Sequence, residues 1–203
     1  VEARELDLLR VEGGRPARYD LPLHFDGHIM SVGFRAQRHA DVRPVLGKRA
    51  GYEHLWLDAE SAASTEVRSL SWLLGGRFYT YRFGASSPSR ALLVESGAHD
   101  PDFNLRREQA LVQRVDDAGE TTFFSVLEPH GEYNGTAEYV RGAESRIAGI
   151  VHVRGDGASV VVLTLTSGNT LAVAVADDPA PGNTHRVSAN GQGVAVDVVD
   201  HRG

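Results

Sequence analysis

The chain has 203 residues, 41% of them hydrophobic and 24% charged, which is enough apolar material for a buried core and near the globular average for charge. A net charge of -6 argues against nucleic acid as a partner, and the absence of cysteine excludes disulfides and thiolate metal sites. No window approaches about eighteen consecutive apolar residues, so a transmembrane helix is excluded and a membrane is not an expected partner.

Residues 5–11 alternate as a strand, and Glu12-Gly13-Gly14-Arg15-Pro16 then reads as a turn. Tyr19, Leu21, Leu23 and Phe25 next share one face, with Asp20, Pro22 and His24 on the other. Pro22 suggests a sheet edge or a bulge. Asp26-Gly27 is a hairpin-turn pair, which predicts residues 29–34 as a return arm. Residues 35–48 are polar and irregular, a long loop, and strand character resumes over 52–58. The clearest hairpin is 69–74 against 77–83, because Gly75-Gly76 supplies the positive φ angles of a tight two-residue turn. The same logic predicts hairpins around Asp116-Asp117-Ala118-Gly119 and Arg154-Gly155-Asp156-Gly157, with Ser167-Gly168-Asn169 leading into a strand over 170–176. Short strands at roughly 8–12 residue spacing with Gly/Asp turns predict an all-β, antiparallel two-sheet β-sandwich, read as a single domain over 1–203.

The chemistry-bearing residues are dispersed. Nine histidines invite a metal reading, yet no HExxH-type spacing occurs, and His54, His99, His130 and His152 are isolated in sequence. Glu128, Glu132, Asp100 and Asp102 could supply paired carboxylates for acid–base work, or simply be turn and surface acids. There is no GxSxG elbow and no phosphate-cradling glycine loop. Asn134-Gly135-Thr136 is a glycosylation sequon by letter. Lys48 is the only lysine, so nearly all positive charge is guanidinium, the group that grips carboxylates with a two-pronged fork. The stretch GAHDPDFNLRREQAL over 97–111 concentrates this character. Strand parity from Phe103 would put Arg107 beside apolar neighbours, where it is either ion-paired or aimed outward by a bulge.

Four segments carry more than spacing. GYEHLWLDAE at 51–60, GRFY at 76–79, GAHDPDFNLRRE at 97–108 and FSVLEPHGEY at 124–133 resemble, in that order, the C-terminal β-sandwich of the heparinase II/III-like polysaccharide lyases, above all the oligoalginate lyases of family 17. The resemblance covers nearly the whole chain. It implies a lyase that cleaves alginate oligomers, acidic uronate chains, by exolytic β-elimination, with the reacting asparagine, histidine and tyrosine groups on an N-terminal (α/α) toroid. No such helices occur in this sequence, so the chain is expected to be a later portion of such an enzyme, partnered by a toroid domain or companion chain. The resemblance further implies a structural zinc, with His24 as the ligand in this sequence and the others upstream of Val1. An acidic substrate would be met by local arginines, and Arg106 and Arg107 are the expected substrate-binding pair. Tyr79, Tyr81 and Tyr133 are available for stacking on sugar rings. The alternative from a different class is a stand-alone carbohydrate-binding or structural β-sandwich without catalysis.

Overall fold

The computed structural model describes residues 4–39, 44–96, 108–155, 157–177, 184–189 and 192–197, the last two stretches by backbone alone. The described residues are antiparallel strands joined by loops and one 3₁₀ turn, Tyr52–His54, as expected of an all-β chain. They divide into two units, Val1–Glu144 and Ser145–Gly203.

The first unit contains β1 (Glu5–His24), β2 (His28–Val32), β3 (Gln37–Arg38), β4 (Leu55–Glu60), β5 (Arg68–Leu74), β6 (Arg77–Ala85), β7 (Ser89–Ser96), β8 (Glu108–His130), β9 (Glu132–Asn134) and β10 (Tyr139–Arg141). Eight of them form one sheet in the order β2-β5-β6-β8-β7-β4-β3, with β1 alongside β8. β8 is the spine. Its first part pairs with β7, from Ser96↔Glu108 to Ser89↔Val115. Its last part pairs with β6, from Ala85↔Phe123 to Phe78↔His130. On the opposite edge β1 follows it along both parts, from Glu5↔Leu127 to His24↔Ala110.

Three long tracks therefore run side by side and change direction at the same level. On β1 the register shifts between Glu12 and Tyr19, and on β8 Asp117 takes a φ of 55°. Between β6 and β7 the break is Ser86-Ser87-Pro88. Extra residues in a ladder bend the strand that carries them, and polar residues tolerate the exposure a bend creates. The bend brings the two halves of the sheet face to face: Leu70, Trp72, Tyr81 and Phe83 from one half pack against Ala91 and Leu111 from the other. Outside the second half, Leu46, Leu55 and Leu57 cover Leu92, Val94, Ala110 and Val112. β8 is thus buried on both faces, which is why its apolar content is nearly continuous rather than alternating.

Three turn expectations give way to this arrangement. Gly13-Gly14-Arg15-Pro16 and Asp116-Asp117-Ala118-Gly119 do not reverse the chain; each lies within one continuous strand. Asp26-Gly27 does not close a hairpin either, because β1 ends against β8 while β2 pairs with β5. Gly and Asp report that the pleat is interrupted, whereas reversal requires the flanking segments to choose each other as partners. Gly75-Gly76 does join β5 to β6 as expected, at φ angles of 56° and 79°.

The second unit holds β11 (Ile147–Gly155), β12 (Ala158–Leu165) and β13 (Thr170–Ala176) as an antiparallel sheet, together with the hairpin β14 (Thr184–Ala189) and β15 (Gln192–Asp197). Both strand connections expected there are present. Arg154 on β11 reaches Asp177, just past the end of β13, through Nη1 at 2.7 Å.

Phe83 is fully buried in the inner core, whereas Leu9 is 45% exposed on β1. Denaturant titration should show Phe83→Ala losing about 3–5 kcal/mol of stability, against under about 1 kcal/mol for Leu9→Ala.

Candidate functional site

The densest polar arrangement among the described residues lies on the outward face of the half containing β7. Asp20 on β1, Arg114 on β8 and Arg90 on β7 occupy one cross-strand row. Arg114 donates from Nε to Oδ1 and from Nη2 to Oδ2 of Asp20, both at 2.7 Å, and the two side chains are only 6% and 7% exposed. This is the parallel two-bond geometry in which a guanidinium and a carboxylate match best. Tyr52 completes it by donating its hydroxyl to Asp20 Oδ2 at 2.6 Å, and Arg114 lies 5.9 Å from the centre of its ring. The 3₁₀ turn that delivers Tyr52 starts at Gly51, whose φ of 85° suits glycine. Hydrogen bonding to Asp20 holds the Arg114 pKa above its usual value against the opposing effect of burial. Burial, reinforced by donation to Asp20, raises that of Tyr52.

Asp116 stands two residues further along β8. It accepts from Arg18 Nε at 2.6 Å and from Arg90 Nη2 at 2.8 Å. Arg90 also donates from Nη1 to Glu60 at 2.9 Å, and His39 Nε2 lies 3.3 Å from the same carboxylate. Burial alone would raise the Asp116 pKa, but the bonds from Arg18 and Arg90 outweigh it and hold the carboxyl below its ordinary value. Arg18, Arg90 and Arg114 are thus matched by Asp20, Glu60 and Asp116. Each guanidinium already grips a carboxylate, so a ligand carboxylate would have to displace one of the protein's own.

On the outward face of the other half, His130 is 1% exposed and bonded through both ring nitrogens. Nδ1 lies 2.9 Å from the carbonyl of Gly142, which can only accept, so Nδ1 carries the proton. Nε2 is hydrogen-bonded to the Thr80 hydroxyl at 2.9 Å, and Thr80 Oγ1 to the Ser71 hydroxyl at 2.7 Å. The ring stacks on Phe78 at 6.0 Å. Buried Glu128, two residues before it, lies 3.6 Å from Arg4, and its charge also acts on Arg82. Gly131, at φ 54°, brings its backbone against Gly142, where a Cβ would collide with the carbonyls of Arg141 and Gly142. The EPHG run is therefore a pin between the end of β8 and the hairpin that follows, not an exposed acid–base pair.

His24 is exposed near the end of β1, opposite Ala110. Among the described residues no group of three or more histidine, aspartate or glutamate side chains could hold a metal ion, so His24 is a single donor and does not make a zinc site with them. Arg106 and Arg107, like Asp100 and Asp102, lie outside the described residues. Of the three tyrosines considered for sugar stacking, Tyr81 is buried, Tyr79 is stacked on Trp72 at 5.5 Å, and Tyr133 is 44% exposed. Sequence reasoning missed the Asp20–Arg114–Tyr52 clamp. Its one visible sign was an aspartate and an arginine, each flanked by apolar residues within a strand pattern.

No family model matches the chain. It is 63% identical over 186 residues to a protein named alginate lyase from Stenotrophomonas maltophilia (strain K279a), an alignment covering 92% of this chain and 25% of that protein. It is 38% identical over 192 residues to an exo-oligoalginate lyase from Saccharophagus degradans, covering 93% of this chain and 26% of that protein. The chain spans about a quarter of the length of these curated relatives.

Removing one partner of a buried ion pair strands the other, so Asp20→Ala should cost about 3–5 kcal/mol in denaturant unfolding, against about 1 kcal/mol for Tyr52→Phe. Because the folded pKa of Asp116 is depressed, its stabilising contribution is present above the unfolded value of about 3.9 and is lost as pH falls through the folded value. Asp116→Asn should accordingly flatten the acid limb of the stability–pH curve while leaving its shape near neutrality unchanged.

Proposed function

We propose that the chain is the β-sheet portion of a heparinase II/III-like polysaccharide lyase that cleaves alginate-type uronate oligomers by exolytic β-elimination, with the reacting groups on a helical toroid outside this sequence. The observation that carries this reading is 63% identity along 92% of the chain to a quarter of a protein named alginate lyase. In such a reaction a base takes the C5 proton, the released electron pair forms the C4–C5 double bond, and the 4-O-linked sugar departs with a proton. The step needs a neutralised substrate carboxylate and an acid–base pair that reaches the sugar.

The geometry supports placing that machinery elsewhere. Arg18, Arg90 and Arg114 are each engaged by a carboxylate, and His130 is buried with both ring nitrogens bonded. What the chain itself contributes on this reading is a support and a pair of cations, Arg106 and Arg107, to grip an acidic sugar. His24 contributes one donor to a zinc completed by groups outside this sequence, where the metal would fix strands and take no part in the elimination.

Mixed with mannuronate oligomers, the chain alone should give no rise in the ultraviolet band of unsaturated uronates, and a longer protein that contains it should. Turnover by the chain alone would overturn the placement of the reacting groups. In the longer protein, Arg106→Ala with Arg107→Ala should raise KM by about tenfold or more with a smaller effect on kcat. Elemental analysis of the longer protein should show less zinc in His24→Ala, and equal metal content would remove His24 as a ligand.

A further inference from the structure

The sequon letters at Asn134 mark a segment with a different chemistry. Asn134 is the last residue of β9, and residues 135–138 form the turn that leads into β10. Every residue from 132 to 142 is exposed. The ladder beneath the turn has three rungs, Glu132↔Arg141, Tyr133↔Val140 and Asn134↔Tyr139, so Asn134 sits on the outermost one. Asn134 Oδ1 accepts from the backbone N–H of Thr136 at 3.0 Å and of Ala137 at 2.9 Å. The next residue, Gly135, has no side chain to obstruct its own nitrogen.

We propose that Asn134-Gly135 is a site of spontaneous backbone-assisted deamidation, with water as the only co-reactant. The Gly135 nitrogen, losing its proton to solvent base, attacks Asn134 Cγ and forms the new C–N bond. Oδ1 carries negative charge in the tetrahedral intermediate, where the two N–H groups already aimed at it would stabilise it as an oxyanion hole does. The Cγ–Nδ2 bond then breaks, and Nδ2 leaves as ammonia after taking up a proton, giving a succinimide. Water opens the ring at either carbonyl, to aspartate or to isoaspartate.

Neither turn hydrogen bond involves Nδ2, the group that leaves. A three-rung ladder open to solvent frays at low cost, so the backbone rotation that brings Gly135 N onto Cγ does not require unfolding of the sheet. The two products differ in consequence. Aspartate keeps an acceptor for Thr136 and Ala137 and adds a negative charge, whereas isoaspartate reroutes the main chain through the former side chain and removes the acceptor. The second product therefore disturbs a hairpin that is tied to the sheet through Tyr133 N and Gly76 O at 2.7 Å.

The test is an incubation of the whole chain at mildly alkaline pH, with timed samples digested after arginine and analysed by mass spectrometry. The peptide from Val115 to Arg141 contains Asn134 as its only amide side chain, so an amide-to-acid mass change there is unambiguous. Conversion in the native chain should proceed within about tenfold of its rate in the same chain unfolded in urea, yield both products, and slow by at least about tenfold in Gly135→Ala. A native rate further below the unfolded one, or an unchanged rate in Gly135→Ala, would overturn the proposal.

Discussion

Everything in the first unit depends on β8 being used on both edges and both faces at once. A strand that pairs with β1 along one edge and with β6 and β7 along the other leaves its neighbours little freedom of register. A one-residue slip would exchange its two faces, turning Arg114 and Phe124 inward and Leu111 and Phe123 outward. Because both faces are covered, hydrophobicity alone does not forbid that slip. The polar side chains do. Arg114 is admissible only where Asp20 waits for it, and Gln113 only where it can donate to Ser89 at 3.2 Å. The charged row on the outward face is therefore best understood as a register key for the sheet, with the loop bearing Tyr52 fastened to it.

This changes what the family-like motifs mean. GYEHLWLD delivers Tyr52 to Asp20, and EPHG delivers His130 to Thr80 and Gly142. These are two of the four stretches that carry the resemblance, and both do architectural work. Arg68, outside those stretches, is architectural too. It is buried on the inward face and donates to the Ser89 and Ala62 carbonyls at 2.7 and 3.0 Å, joining β5 to the start of β7 across the interior. Burial lowers its pKa, the expected cost of a cation held by neutral oxygens, although Glu66 offsets part of it.

How much of this could be read from sequence follows from range. The β5–β6 and β11–β12 hairpins were legible because both strands and their turn lie within about twenty residues. The pairing of β1 with β8 was not, since Asp20 and Arg114 are 94 residues apart and no local pattern connects them. For the same reason Asp116-Asp117-Ala118-Gly119 was legible as an interruption but not as a bend. Period two identified which residues share a face: Tyr19, Leu21, Leu23 and Phe25, expected together, all pack against the inner clusters. It could not reveal that the opposite face, carrying Asp20, would also be covered. The arginine pair expected to meet a substrate falls outside the described residues, and among the described residues His24 joins no group of three or more potential metal ligands.

The separation of β1 from β8 also bears on the order in which the chain acquires structure. Closing a long loop costs entropy before any contact repays it, so local hairpins form first and distant pairings later. During synthesis β1 emerges before its partner, which follows roughly a hundred residues behind, several seconds at ordinary translation rates. For that interval β1 waits for the strand it pairs with in the finished sheet. Glu5, Asp7, Arg10, Glu12 and Pro22, spread along the strand, are the kind of residues that discourage pairing with a stray edge. The charges on β1 then have a kinetic role besides their place in the finished sheet: they keep a strand that must wait from adhering to the wrong neighbour.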